Sequence, residues 1–173
     1  MIDISLPIIG KAIVIREMRD EDIELLYDLE TDNEVKRYVG GGTLSRPKQD
    51  WIERMRQLRV THDALLPLIV TCKATGKFVG RAALGHYDDI RRFEIQLIIA
   101  KQYWGKRLGK EAVELLMGVA FNNLNALSVV SVVHPENNPS LKLVRELGFT
   151  LIGTKESDGW DKGHYIYEYK LEA

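Results

Sequence analysis

Gln102-Tyr103-Trp104-Gly105-Lys106-Arg107-Leu108-Gly109-Lys110-Glu111-Ala112 is the stretch around which the rest of the chain can be read. It follows the apolar, strand-like run Ile95-Gln96-Leu97-Ile98-Ile99 and opens a run with helical spacing to about Asn123. A strand, a short loop carrying Gly and Lys/Arg, then a helix start make an anion site. The loop and first-turn amides lack backbone partners, and the helix dipole adds positive potential at the same place. Such a turn suits a pyrophosphate.

Outward from the loop, Ala12–Arg16 reads as a first strand, and Asp20 as the cap of a helix through Glu30 with Ile23, Leu26 and Leu29 on one face. Glu34 to Tyr38 adds a turn before Gly40-Gly41-Gly42. Ser45 then caps a second helix to about Arg59, with Pro47 in its first turn and Trp51, Ile52, Met55 and Leu58 aligned. Leu68–Lys73 and Phe78–Leu84 are strands around a turn in which Gly76 supplies positive φ. Phe93–Ile99 is the strand that enters the loop, and the helix after it carries Ala112, Leu116, Val119 and Ala120 on one face. Ser128–Val133 is β-branched and reads as a buried strand. A short helix spans Pro139 to Leu147, with Asn138 as N-cap and Ser140 in the first turn. Gly148 is its left-handed C′ residue, and Phe149 folds back on Val144. Thr150–Thr154 and His164–Lys170 are the last strands, and Tyr165, Tyr167 and Tyr169 read as one strand face. The order is βααβββαβαββ, an α/β sheet of mixed direction.

The 173 residues suit one domain over 1–173 with a substantial core. Lys plus Arg total 24 against 25 Asp plus Glu, which excludes the basic excess of a general nucleic-acid binder. Cys72 is the only cysteine, so no internal disulfide forms, and a cytoplasmic location is expected. Its place in Leu68–Cys72 suggests a small buried hydrophobe rather than a nucleophile. No run reaches the roughly 18 apolar residues of a membrane span, and no signal-peptide pattern opens the chain. The four histidines show no metal-ligand spacing with Cys72, so no metal is expected.

Three features carry a family resemblance. Tyr103-Trp104-Gly105-Lys106 leads to Gly109-Lys110-Glu111-Ala112; Asn137-Asn138-Pro139-Ser140 leads to Glu146-Leu147-Gly148-Phe149; and Glu94-Ile95-Gln96-Leu97 precedes the loop. In this order they resemble the GNAT superfamily of acetyl-coenzyme A-dependent N-acetyltransferases over essentially the whole chain, and more narrowly the branch that acetylates ribosomal-protein N-termini. The resemblance implies a mostly antiparallel sheet with helices on both faces and a splayed parallel strand pair, Phe93–Ile99 beside Ser128–Val133. Pantetheine would lie between those strands and pair with the backbone of Leu97, Ile98 and Ile99. The amides of Trp104, Gly105, Lys106, Arg107, Leu108 and Gly109 would hold the pyrophosphate, and Asn137 would contact the cofactor. Arg107 is a departure, since the superfamily places Gly there. A side chain hinders close backbone approach, while a guanidinium offers a direct phosphate contact instead.

Ser140 would sit near the thioester sulfur and protonate the leaving thiolate or orient a water that does. Glu94 would accept a proton from the attacking amine; a solvated or ion-paired strand residue beside Arg91 and Arg92 is an equally good reading. His134 is a second base candidate, set against a plain hydrogen-bonding loop residue. The implied activity is acetyl transfer from acetyl-CoA to a primary amine, with a protein N-terminus or a small amine as acceptor, by a monomer or homodimer without membrane partners. A non-catalytic acyl-CoA-binding scaffold is the alternative from another class. A nucleotide-binding module ranks last, because both the Gly-x-x-x-x-Gly-Lys-Ser/Thr loop and the Gly-x-Gly-x-x-Gly frame are missing. Asp20, Glu21, Asp22, Glu24, Asp28, Glu30, Asp32 and Glu34 read residue by residue as a solvated helix face, the favoured reading, and taken together as an acidic rim that would steer a cationic acceptor.

Overall fold

The computed structural model describes residues 4–39, 46–61, 67–156 and 163–171. The β-branched and apolar runs form β1 (Ile8–Ile9), β2 (Ile13–Arg16), β3 (Leu68–Cys72), β4 (Phe78–His86), β5 (Arg92–Ile99), β6 (Ser128–Val133), β7 (Thr150–Lys155) and β8 (His164–Lys170). The helical runs form α1 (Asp22–Thr31), α2 (Lys48–Thr61), α3 (Leu108–Asn122) and α4 (Asn138–Glu146), with 3-10 turns at Val35–Tyr38 and Lys101–Tyr103. Among the described residues the strands make an eight-stranded sheet in the order β1-β2-β3-β4-β5-β6-β8-β7. β1–β2, β2–β3, β3–β4, β6–β8 and β7–β8 are antiparallel. β5 and β6 run parallel, with Arg92, Phe93 and Glu94 opposite Ser128, Val129 and Val130. That register covers only the first half of each strand, as a diverging parallel pair requires.

The chain divides into two compact units. Ser5–Ala83 with Leu97–Ala112 forms one; Leu84–Gln96 with Val113–Ala173 and the extreme N-terminus forms the other. In the first, Ile23 and Leu26 of α1 join Trp51, Ile52 and Met55 of α2 in a core with Met18 and Ile69. The Tyr27 and Trp51 rings meet edge to face at 5.6 Å. Strand-to-strand approach in this unit depends on Gly80. A Cβ there would lie 2.1 Å from the carbonyl oxygen of Ile98, so β4 tolerates no side chain at that point.

In the second unit, Tyr169 packs against Phe121 and Phe149 at ring distances of 5.8 and 5.7 Å, and Tyr167 is buried. The tyrosine stripe is therefore a packed strand face. Beneath it, the buried Glu168 carboxylate accepts from Arg92 at 3.0 Å and from Ser128 Oγ at 2.7 Å, and lies 3.2 Å from Lys170 Nζ. Burial alone would raise its pKa. The Ser128 hydroxyl, Lys170 and Arg92 outweigh that and hold it below the ordinary glutamate value.

Helix ends follow their expected logic with shifts of a residue or two. α1 begins at Asp22 rather than Asp20. The buried Asp22 carboxylate accepts the Arg19 amide at 2.7 Å and both Arg16 guanidinium nitrogens at 2.7 and 2.8 Å, which anchors that end better than a solvent-facing cap. Pro47 precedes α2, its carbonyl accepting the Trp51 amide. The expected Ser45 cap and Gly40-Gly41-Gly42 lie outside the described residues. The end of α4 is a full Schellman motif: Gly148 has φ 83°, its amide bonds the Arg145 carbonyl, and the Phe149 amide bonds Val144. Cys72 ends β3 and is only half-buried. The Thr75 hydroxyl and the turn amides of Ala74 and Thr75 lower its thiol pKa, so it is not the buried hydrophobe expected.

Candidate active site

β5 delivers the chain into the 3-10 turn Lys101–Tyr103, where the Tyr103 amide returns to Ala100 and the Trp104 amide to Lys101. The chain must then reverse into α3, and it does so through two left-handed residues, Gly105 at φ 73° and Arg107 at φ 61°. Arg107 thus keeps the backbone shape that glycine would adopt there, at a steric cost of about 1–2 kcal/mol for an L side chain. The first α3 bond runs from Glu111 N–H to the Arg107 carbonyl at 3.3 Å, so the amides of Leu108, Gly109 and Lys110 precede it at the positive end of the helix.

The loop is braced from within its own unit. Trp104 Nε1 donates to the Ile99 carbonyl at 2.7 Å, so that carbonyl already has a donor. Glu111 Oε1 accepts the Ala12 amide at 2.9 Å and the Ile13 amide at 3.4 Å, tying the α3 start to β2. Lys106 Nζ lies over the Tyr103 ring, 5.1 Å from its centre. Gly109 adjoins β5: a Cβ there would meet Leu97 Cδ2 at 3.5 Å and Ile99 Cγ1 at 3.7 Å, which is ordinary contact. A Cβ at Gly105 would meet nothing within 4 Å. Leu97, Ile99 and Trp104 to Gly109 are therefore one local assembly with an amide-rich, sterically open face. These residues fit a pyrophosphate.

The second group of expected site residues lies in the other unit. Asn137, not Asn138, is the α4 N-cap: its Oδ1 accepts the Ser140 amide at 3.2 Å. This places Ser140 third in the helix rather than second, still in the first turn. The motif pair Asn137 and Ser140 is thus joined by a capping bond, which gives Asn137 a structural task in addition to any contact with a ligand. His134 is buried, its Nδ1 accepting the Glu136 amide at 3.1 Å. That bond puts the ring proton of neutral His134 on Nε2, the wrong tautomer for a base acting through Nε2. Its ring meets His164 edge to face at 5.6 Å, a pairing the sequence pattern did not suggest. Glu94 is half-buried on β5, and its Oε1 accepts from Gln96 Nε2 at 3.4 Å. Arg92, two residues away, is engaged with Glu168 and Asp88.

The acidic run near α1 changes meaning in three dimensions. Asp22 pairs with Arg16, Glu21 with Arg19, Glu24 and Asp28 with Lys48, and Glu34 with Lys101. Glu30 holds both Lys36, at 2.6 Å, and Arg81. Burial would raise the Glu30 pKa, but Arg81 and Lys36 bring it below the ordinary value. Asp32 Oδ1 accepts the Glu34 and Val35 amides at 2.9 and 3.1 Å. Asp22 and Glu30 are covered by their partners, while Glu21, Glu24, Asp28 and Glu34 remain exposed and paired with Arg or Lys, a charge-matched solvated face that weakens the steering argument. Gly80 escaped sequence reading, although a lone glycine inside a strand pattern is a signal for it. Glu111 stood in the loop motif and Glu30 among the acids, but their partners Ala12, Ile13, Lys36 and Arg81 were not foreseen.

Among the described residues no group of three or more His, Cys, Asp or Glu side chains could hold a metal, and no helix is long and apolar enough to cross a membrane.

The mixed sheet with its described parallel pair, β5–β6, is an acetyltransferase (GNAT) fold, and the chain belongs to the acetyltransferase (GNAT) domain family, whose sequence model matches residues 12–150. It is an N-acetyltransferase of that family. It is 29% identical to the uncharacterized N-acetyltransferase p20 of Bacillus licheniformis, over 92% of this chain and 90% of that one. It is 26% identical to the spermidine N(1)-acetyltransferase of Escherichia coli K12, over 89% of this chain and 81% of that one. The solved structure of Mycobacterium smegmatis RimJ in complex with CoA-disulfide superposes with a TM-score of 0.73 at 19% identity, covering 91% of this chain and 81% of that chain.

Proposed function

We propose that residues 1–173 act as one cytoplasmic acetyltransferase domain that takes acetyl-CoA through the Trp104–Gly109 loop and acetylates a primary amine. Gly109 carries the reading. Its φ is not left-handed, and a Cβ there would make only ordinary contacts, so the protein itself does not require glycine. Glycine in a helix costs about 0.5–1 kcal/mol relative to alanine. A ligand approaching the backbone closely explains its presence.

Acetyl-CoA supplies the thioester. The amides from Gly105 to Gly109 bind its pyrophosphate, the Trp104 amide being engaged with the Lys101 carbonyl, and the Arg107 guanidinium adds a direct phosphate contact. Backbone groups of Leu97 and Ile98 pair with the pantetheine amides, with Ile99 contributing its amide side. Glu94 accepts the proton of the amine, directly or through water, as the new C–N bond forms. Ser140, in the first turn of α4, delivers a proton to the sulfur as the C–S bond breaks, directly with its own proton restored from water or by orienting a water that does so, helped by the positive helix end. Asn137 holds that turn in place and borders the cofactor. Positioning of the two substrates supplies most of the acceleration.

A protein N-terminus is the acceptor favoured by the loop motif. A polyamine is the second reading, supported by the spermidine-acetylating relative. Calorimetry with CoA, followed by an amine and peptide panel read by thiol release, tests both. The expected result is CoA binding, retained stability but weakened binding in Gly109→Ala, and turnover on one acceptor class. Failure of the unaltered protein to bind millimolar CoA refutes the proposal.

A further inference from the structure

Two short 3-10 turns in the same unit face each other across one contact. The turn Lys101–Tyr103 leads directly into the cofactor loop. The turn Val35–Tyr38 follows α1. An ion pair between Lys101 and Glu34 joins them at the surface. Beneath it, Val35 is buried in an apolar cluster with Leu29, Ile98 and Ala100, and Val39, Phe78 and Tyr103 pack against that cluster. The far side of Val35–Tyr38 is fixed by Lys36, which is buried on Glu30, itself held by Arg81 of β4. The first half of the turn is thus tied through Lys36 and Glu30 to β4, and through Glu34 and Val35 to the stretch that enters the cofactor loop.

Tyr103 is the hinge of this arrangement. One part of its ring packs on the Val35 cluster, and its face carries the Lys106 ammonium. An exposed cation–π contact is worth about 0.5–1 kcal/mol. A pyrophosphate on the loop competes for that ammonium with a full opposite charge. Loading the loop therefore changes what Tyr103 contacts, and Tyr103 touches the cluster that holds Val35–Val39.

We propose that Glu34, Val35 and Tyr103 are positioning residues that link occupancy of the cofactor loop to the Val35–Val39 segment, so that CoA binding tightens that already packed segment and the segment in turn sets CoA affinity. This rests on the assignment of the loop to CoA. Linkage makes the effect reciprocal: what CoA does to the segment, a change in the segment does to CoA. The physical carrier is a contiguous apolar cluster with a charged clamp, not distance along the chain.

Hydrogen exchange of the full chain, with and without saturating CoA, tests this. Exchange at Val35–Val39 slows by about threefold or more with CoA, and Tyr103→Leu, which removes the Lys106 contact, abolishes the slowing while CoA still binds. Calorimetry adds a sign test. Glu34→Gln leaves the loop more positive, so electrostatics alone would tighten CoA; loss of positioning weakens it about two- to fivefold, the range of an exposed ion pair. Slowed exchange confined to residues 101–110, or equal or tighter CoA binding in Glu34→Gln, overturns the proposal and leaves the cofactor assignment standing. Absence of any CoA binding overturns the cofactor assignment itself.

Discussion

Replacing Arg107 separates backbone strain from phosphate recognition, because the two predict opposite signs. At φ 61° an L residue carries about 1–2 kcal/mol of steric cost. Arg107→Gly removes it but returns conformational freedom to the unfolded chain, worth about 0.4–1 kcal/mol. The net is a stabilisation of up to about 1.5 kcal/mol, a rise of a few degrees in Tm for a chain of this size. Arg107→Ala keeps the Cβ and the strain, so it gains none of that stabilisation. For CoA the two variants behave alike. Each loses a guanidinium contact with phosphate, which at an exposed site is worth about 1 kcal/mol, a five- to tenfold weaker Kd at low salt. The difference from the parent shrinks as salt rises, since the lost term is a screened charge. Thermal melts and calorimetry at two salt concentrations supply all the values needed. A Gly variant that melts lower refutes the strain argument. Parent-like CoA affinity in both variants at low salt refutes the phosphate contact.

Ser140→Ala lowers kcat more than it raises the KM for acetyl-CoA, because the hydroxyl acts on the leaving group; single-turnover kinetics with unchanged rates would remove it from the mechanism. Glu94→Gln depresses the rate most at low pH, where the acceptor amine is largely protonated, and a flat ratio across a pH–rate profile would assign proton acceptance to another group. Gly80→Ala forces β4 away from the Ile98 carbonyl and destabilises by about 3 kcal/mol or more, read as a lower urea midpoint with an unchanged slope. Glu168 has a depressed folded pKa, so its ionised network contributes stability that is complete above the unfolded glutamate value of about 4.3 and is lost as pH falls through the lower folded value. Glu168→Gln therefore costs about 1–3 kcal/mol at pH 7 and progressively less as pH falls through the folded value, and a loss that does not change with pH would contradict the ionic account.

What was legible in the sequence was local. The strand–loop–helix turn at Trp104–Gly109, the Schellman end at Gly148-Phe149 and the buried run Ser128–Val133 follow from patterns a few residues long, because φ preferences, caps and hydrophobic periods act over one or two turns. Even there a phase error of one residue entered: Asn137 and Asn138 are both good caps, and the tight turn after His134, in which the Asn137 amide bonds the His134 carbonyl, selects Asn137. The tertiary structure decided the rest. Gly80 is explained only by Ile98 on a neighbouring strand, and Glu111 only by Ala12, 99 residues earlier. The acids near α1 looked like a negative rim in sequence, since nothing local reveals that Arg81 and Lys101 fold back onto Glu30 and Glu34. Charge and close approach are properties of whatever lies across the gap, and only the folded chain says what that is.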